Sequence, residues 1–284
     1  MIGISVIIPT FNSSRFITGC LESLKGQAYR DFETIIIDNG SVDGTSTRVR
    51  AVFPGAKLII NHANLGACKA RNQGIRIARG QWILTLDCDV ELKQDFFLEF
   101  VKIAKDLPAK TGMVQAKILQ SDRRHIFSTG IFVSFLRRFY DIGMGRPDNQ
   151  EFAQPRLILG GCSAASFLRK QMLEETKGAN GYFDERFFFL VEDVDLAWRA
   201  RCKGWMGVYR PELVCYHQGN SSGTDKKLRQ YLCFRNRFYA IMNNEGLHSY
   251  LGKVFPFLFY DLPRFCFLFF NNPHLRRHFK RCRR

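Results

Sequence analysis

No CxxC pair occurs in this chain of 284 residues; its nine cysteines are scattered, and the two nearest, Cys202 and Cys215, stand thirteen positions apart. That spacing excludes a zinc ribbon and a thiol–disulfide motif, and isolated cysteines among apolar neighbours fit a reducing compartment. Uninterrupted apolar runs are missing as well. The longest candidate, Val254 to Phe270, is broken by Asp261, Arg264 and two prolines. A membrane-crossing helix needs about 20 largely apolar residues, so no spanning segment is expected. The opening MIGISVIIPTFN has no basic flank and reaches Pro9 and Asn12 at once; it reads as a buried strand, not a signal peptide. No Gly-rich phosphate-cradling loop follows it, which speaks against a nucleotidyltransferase. Repeats, low-complexity tracts and interdomain linkers are absent too, so the expected parse is one domain over 1–243 with an extension over 244–284.

Acidic residues are scarce at one end. The chain carries 42 Lys and Arg against 26 Asp and Glu, a net +16. Residues 1–160 hold 21 basic and 15 acidic side chains and residues 161–222 hold 8 of each, whereas the last 62 hold 13 and 3. The final nine residues, RRHFKRCRR, supply six of those positive charges. A basic end points to a polyanionic partner, either nucleic acid or an anionic membrane face. No RNP-like, helix-turn-helix or zinc signature accompanies the charge, so a nucleic acid is not the expected partner. With 46% hydrophobic and 24% charged residues the composition is that of a globular protein, and this length supports a core without disulfide or metal staples.

What is present is an alternation. Ile4–Pro9, Glu33–Asp38, Lys57–Asn61 and Gln81–Leu86 are short, β-branched apolar runs that read as buried strands. Between them Ser13–Lys25, Asp43–Phe53 and Gly66–Arg79 have helical length and spacing. The pattern predicts a doubly wound α/β fold, a mostly parallel central sheet flanked by helices, with ligands at the carboxyl ends of the strands. Residues 120–156 read as a loop-rich insertion, and Asp193–Lys203 and Lys226–Asn243 as helices. The division separates a regular first half over about 1–118 from a less regular second half over about 119–243.

Four features carry candidate chemistry. Asp38 ends the second strand, where it can accept hydrogen bonds from a ribose or base, or else close an Asx-turn. Asp87 and Asp89 follow the apolar strand QWILTL; two positions apart in extended chain, they point the same way, an arrangement relieved by Mg²⁺ or Mn²⁺ with substrate phosphates. The alternative is a solvated acidic turn. Glu192 and Asp193 follow the apolar wall FFFLV, and either could cap the next helix or, partly desolvated, act as a general base. His217, in YHQGNSS, suits metal or phosphate contact, although a lone His is more often structural.

Taken in order, PTFN (Pro9–Asn12), IIDNGSVDGT, NLGACKARNQG, LDCDV, GGCSAASFLRK, FDERFFFLVEDVDLAWRARCKGW and YHQGNSS resemble the motifs of a family 2 glycosyltransferase. The resemblance covers about residues 4–240, and the later YLCFRNRFYAIMNN is similar to bacterial rhamnosyltransferase-like members that build surface polysaccharides. It implies a GT-A fold, a nucleotide-diphosphate sugar donor, a divalent metal and inversion at the anomeric carbon. It further implies that Thr10, Asn12, Asp38, Asn64, Arg71, Asp87 and Asp89 bind the nucleotide sugar. Asp89 and His217 would hold the metal, Asp193 or else Glu192 would be the base, and Gly160, Gly161, Trp198 and Arg199 would lie on the acceptor side. An inactive scaffold is disfavoured because both acidic pairs are intact.

The extension has nine aromatic residues between Tyr250 and Phe270. On a helical wheel Lys253, Asp261 and Arg264 fall within about 80° of one another, leaving a broad apolar face of the kind that lies in a headgroup plane. Pro256 and Pro263 are expected to break it into two short segments, and the basic tail to add attraction to anionic lipid. The competing expectation is that the aromatics pack on the domain. A cytoplasmic enzyme, peripheral on the inner membrane face and acting on a polyprenyl-diphosphate-linked glycan, fits this combination.

Overall fold

The computed structural model describes residues 3–219, 223–246, 248–249 and 254–281. Its first strand, β1 (Ile4–Thr10), is buried along almost its whole length because it lies between two parallel neighbours, β2 (Phe32–Asp38) and β4 (Trp82–Leu86). Strand β3 (Lys57–Ile60) pairs with the far side of β2. The crossovers are helices α1 (Ile17–Lys25), α2 (Thr45–Val52) and α3 (Ala67–Ile77). Thr10 stands opposite Asp38 at the carboxyl end of this block. Helix α3 approaches the sheet closely because Gly74 has no side chain; a Cβ there would lie 2.6 Å from Ile7 and 3.0 Å from Ile37.

The second half adds β5 (Val90–Leu92), α4 (Phe96–Lys105), β6 (Thr111–Gln120), β7 (Ile126–Ser128), β8 (Ile131–Val133), β9 (Phe139–Asp141), β10 (Arg156–Ile158), β11 (Ala165–Arg169) and α5 (Lys170–Thr176). Then come α6 (Glu192–Cys202), β12 (Met206–His217) and α7 (Lys226–Asn244). The path through the sheet is β10-β12-β6-β11-β4-β1-β2-β3, with β5 paired to β12 and β7 to β6. Strand β11 runs antiparallel to both β4 and β6, so the sheet is mixed, with one parallel run over β3-β2-β1-β4 and a second parallel pair, β6 with β12. The insertion at 120–156 is more ordered than its composition suggests: it contains β7, the hairpin β8–β9 and the start of β10. Strands of three residues are too short to print an alternating pattern in sequence.

One face of the sheet packs Trp82, Phe96, Phe97, Phe100 and Phe167, with the Phe100 and Phe167 rings stacked. The other packs Ile7, Ile35 and Ile37 with Leu168, Leu196 and Trp205. The eight described cysteines are free thiols.

The extension departs from expectation. A single helical stretch, α8 (Val254–Asn271), runs through both prolines, followed by α9 (Pro273–Arg281). Pro263 is accommodated by a wide turn over Phe257–Asp261, in which the Leu262 N–H reaches back five residues to the Phe257 carbonyl, a known way to relieve the clash of a helical proline. By length and composition alone α8 is long and apolar enough to cross a membrane, which the interrupting residues had argued against, and only 17% of it is buried. Of the residues on its polar stripe, Asp261 faces inward. Asp261 is buried against α7 and accepts from Arg237 Nε at 2.8 Å and Nη2 at 3.2 Å. Lys253, Tyr250 and Arg283–Arg284 of the tail lie outside the described residues.

Removing one partner of a buried ion pair leaves the other charge unsatisfied, at a cost of about 3–5 kcal/mol. Asp261→Ala is therefore expected to lower the urea unfolding midpoint clearly, while Arg264→Ala, on the half-exposed side of the same helix, leaves it nearly unchanged.

Candidate active site

The carboxyl ends of β1, β4 and β12 open into a cleft of about 990 Å³, whose lining includes Thr10, Arg71, Asp87, Asp89, Asp193 and His217. Asp87 and Asp89 do not continue β4 as extended chain. They sit in a turn closed by the Val90 N–H on the Asp87 carbonyl, at 3.1 Å. That turn is held against β12, since Gln218 N–H donates to the Asp89 carbonyl at 2.9 Å and His217 pairs with Val90.

The result is a cluster in which Asp87, Asp89 and His217 each offer one ligand atom, all within 4.8 Å of one another. His217 Nε2 lies 3.7 Å from Asp89 Oδ1, and its ring is stacked on Phe127 at 4.0 Å. Both Asp89 carboxylate oxygens and His217 Nδ1 are buried without a hydrogen-bond partner among the described residues. A buried carboxylate left so costs several kcal/mol unless a cation or donor meets it. Two carboxylates and an imidazole are a donor set suited to Mn²⁺ and, less fully, to the oxygen-loving Mg²⁺.

Across the cleft, Arg71 of α3 is almost wholly buried and bridges two acids. Nη2 contacts Asp87 Oδ1 at 2.9 Å and Nη1 contacts Glu192 Oε1 at 2.5 Å. Glu192 is thereby committed to an ion pair. Asp193 next to it is not: Oδ2 accepts only from the Ser163 N–H at 3.2 Å, and Oδ1 from the Val194 N–H at 2.8 Å. Burial, reinforced by the Glu192 carboxylate, pushes the Asp193 carboxyl up to about 7. A carboxyl in that range exchanges protons near neutral pH.

Comparison with known proteins decides what this cleft belongs to. The profile of the family "Glycosyl transferase family 2" matches residues 5–176. The chain belongs to glycosyl transferase family 2. Among curated relatives it is 28% identical over 238 residues to the amylovoran biosynthesis glycosyltransferase AmsB of Erwinia amylovora, covering 80% of this chain and 73% of that one. It is 26% identical over 242 residues to the N-acetylglucosaminyl-diphospho-decaprenol L-rhamnosyltransferase of Mycobacterium tuberculosis, covering 78% of each. Among solved structures, S. aureus TarS superposes with a TM-score of 0.60 at 18% identity, over 93% of this chain but 43% of TarS. The mannosyltransferase PcManGT of Pyrobaculum calidifontis, in complex with GDP-Man and Mn²⁺, does so with 0.57 at 16% identity, over 93% of this chain and 73% of that one. These likenesses show the GT-A fold.

Within this family 2 transferase, the other sequence-selected residues divide. Thr10 and Asn64 line the cleft. Asp38 lies behind the lining, fully buried; its Oδ1 accepts from the Ser41 N–H at 3.1 Å and from the Ser41 hydroxyl, while Oδ2 has no hydrogen-bond partner among the described residues. Asn12 braces the neighbouring loop by accepting from the Val42 N–H at 3.0 Å. Gly160, Gly161, Trp198 and Arg199 are not brought to the cleft lining. A Cβ on Gly160 would collide with Ala197, and one on Gly161 with Ser166, so both glycines permit close packing. Arg199 pairs with Asp195 at 2.9 Å and donates to the Thr176 and Tyr182 carbonyls.

Sequence reasoning missed Asp141, at the end of β9, which lines the cleft and whose carboxyl burial pushes up. Nothing in the aromatic, Arg-rich sequence around it marked it out; the hairpin carries it there.

Asp89 faces the cleft and holds no core contact that its loss would void, so Asp89→Asn is expected to leave thermal stability within a few degrees of wild type. The same variant loses the Mn²⁺ dependence of nucleoside-diphosphate binding, measured by calorimetry with UDP, GDP and dTDP. Retained Mn²⁺ dependence would remove Asp89 from the cation site.

Proposed function

We propose that this protein is a metal-assisted, inverting glycosyltransferase that moves a sugar from a nucleotide-diphosphate donor to a hydroxyl of a lipid-linked glycan, in the assembly of a bacterial surface polysaccharide. The observation that carries the reading is the pairing, in one cleft, of the Asp87–Asp89–His217 cluster with the Asp193 carboxylate, which is met by backbone N–H groups. Support for the donor class comes from related folds solved with UDP, with UDP-GlcNAc and with GDP-Man and Mn²⁺. Support for the acceptor class comes from the relative named for N-acetylglucosaminyl-diphospho-decaprenol. A rhamnosyl donor is the specific form that this relative favours.

Chemically, departure of the sugar from its diphosphate builds negative charge on the leaving oxygen. A divalent cation held by Asp89 and His217, with Asp87 beside it, would supply Lewis-acid stabilisation of that charge. Asp193 Oδ takes the proton of the attacking acceptor hydroxyl, and Arg71 keeps Glu192 from competing for it. One displacement with one base inverts the anomeric centre and requires no covalent intermediate.

The extension is the membrane-facing part of this reading. Phe255, Phe259, Phe267 and Phe270 are each more than half exposed on α8, while Asp261, Leu268 and Phe265 tie the helix to α7. We read α8, held to α7 in this way, as lying on the cytoplasmic face of an anionic membrane, assisted by Arg276 and Arg277 of α9.

Screening nucleotide sugars for Mn²⁺- or Mg²⁺-dependent hydrolysis is expected to find at least one substrate. Hydrolysis of that substrate rises with pH through about 7 and levels off above it, because Asp193 must be ionised to accept a proton. Asp193→Asn lowers turnover by about 10² to 10⁴ with donor binding preserved. It also melts higher than wild type at pH 8, because an acid whose pKa is raised by folding destabilises the folded state once ionised; the gain shrinks as the pH falls toward 4. Glu192→Gln giving the larger loss would transfer the role to Glu192. For the membrane, Phe259→Ser combined with Phe267→Ser and Phe270→Ser is expected to abolish co-sedimentation with anionic phospholipid vesicles without altering nucleotide binding. Unchanged co-sedimentation would make the aromatic face structural.

A further inference from the structure

The segment Phe187–Val191 that delivers Glu192 and Asp193 is bent in a way its residues resist. Phe188, Leu190 and Val191 have φ of 67°, 69° and 70°, the left-handed region, and none is glycine. For a bulky or β-branched residue that conformation is an outlier and persists only when the surroundings impose it. Val191 is the residue from which α6 starts, so its backbone angle fixes the direction in which Asp193 leaves the loop.

The constraint comes from the middle of α7. Asn236 is fully buried, and its Nδ2 lies within hydrogen-bonding distance of three carbonyls of this one segment: Phe187 at 3.0 Å, Phe189 at 2.9 Å and Leu190 at 2.8 Å. Two amide protons are shared among them. The preceding Arg235 adds Nη2 contacts to the Arg186 and Phe187 carbonyls at 3.1 and 3.0 Å. On the opposite side, the Phe188 carbonyl receives the Cys68 N–H at 3.1 Å, and Gly66 gives the ring room that a Cβ, 2.5 Å from Phe188 Cδ2, would take away. The loop is clamped from two faces, with Asn236 satisfying the carbonyls that the reversed backbone turns inward. An unpartnered buried carbonyl is costly, so without the amide the left-handed bends would open toward water.

We propose that Asn236 is a positioning residue for the catalytic carboxylate, holding the Phe187–Val191 loop in its left-handed bends so that Asp193 enters the cleft desolvated and separate from Arg71. The inference rests on the reading of Asp193 as the base. It gives the RNR triplet of α7 a division of labour: Arg235 and Asn236 hold the base loop. Arg237 joins the Leu136 carbonyl of the β8–β9 hairpin, at 2.8 Å, to Asp261 of α8.

The test compares wild type with Asn236→Ala and Asn236→Ser in the full-length protein. The serine hydroxyl can serve one carbonyl at most. Nucleotide affinity in the presence of Mn²⁺, measured with the nucleoside diphosphate of the donor selected by the hydrolysis screen, is expected to stay within about twofold. Turnover in Asn236→Ala falls by about 10², the effect of a displaced catalytic group, and Asn236→Ser falls less. The acid limb of the pH profile moves to lower pH, since water reaching Asp193 restores its ordinary acidity. Hydrogen exchange at residues 188–195 accelerates while residues 82–90 are unaffected. A folded variant with wild-type turnover and an unmoved limb overturns the proposal. So does a loss of turnover matched by an equal loss of nucleotide affinity, which would make Asn236 a prop for the whole domain. If Asn236→Ala fails to fold, Asn236→Ser is judged by the same criteria. A wild-type protein without turnover on any nucleotide sugar would count against the transferase reading instead. The exchange comparison, which needs no substrate, then decides alone whether Asn236 holds the loop.

Discussion

A single buried guanidinium makes this cleft possible. Asp87, Asp89, Glu192 and Asp193 converge from two distant parts of the chain, and four carboxylates at the end of one sheet would repel each other in a weakly screened environment. Arg71 answers two of them at once, Asp87 on the β4 side and Glu192 on the α6 side. Buried pairs of this kind contribute little net stability because both charges lose water. What the bridge does is set partners: Asp87 beyond β4 is joined to the start of α6, and the two adjacent acids of α6 become chemically distinct. Glu192 is neutralised in place, and Asp193 is left desolvated with only backbone donors.

The remaining carboxylate, Asp89, has no such counter-charge from Lys or Arg among the described residues. Its near neighbour is an imidazole held flat against Phe127, and its oxygens face the cleft unsatisfied. The asymmetry between an acid matched by arginine and an acid left for a cation gives the cleft its two poles.

Helix α7 organises what surrounds those poles. From three consecutive residues it grips the base loop, the β8–β9 hairpin and the aromatic helix α8. Arg137 in the hairpin also pairs with Glu245, just past the end of α7, at 2.7 Å. The β8–β9 hairpin and the exposed aromatic face of α8 are thus built on one element, which holds both in fixed relation to Asp193. Such coupling is a property of rigid packing and needs no moving part.

The sequence by itself determined the strands β1 to β4, their crossovers, and the acids at their carboxyl ends. Continuous Ile and Val runs admit only buried strands, and short alternating connections admit only a layered sheet. Motif order likewise located Arg71, Asp87, Asp89, Asp193 and His217, which the structure brings into one cleft. Tertiary structure alone decided which of two adjacent acids is occupied, because Arg71 lies 121 positions from Glu192 and no local pattern encodes that pairing. It also decided that β11 runs antiparallel, that Asp141 reaches the cleft from an insertion without periodicity, and that Gly160, Gly161 and Arg199 lie outside the cleft lining. In α8 the helical wheel set Asp261 apart from the aromatic face but assigned it no partner. Its direction is set by Arg237, a charge on another helix, and a wheel carries no information about neighbours.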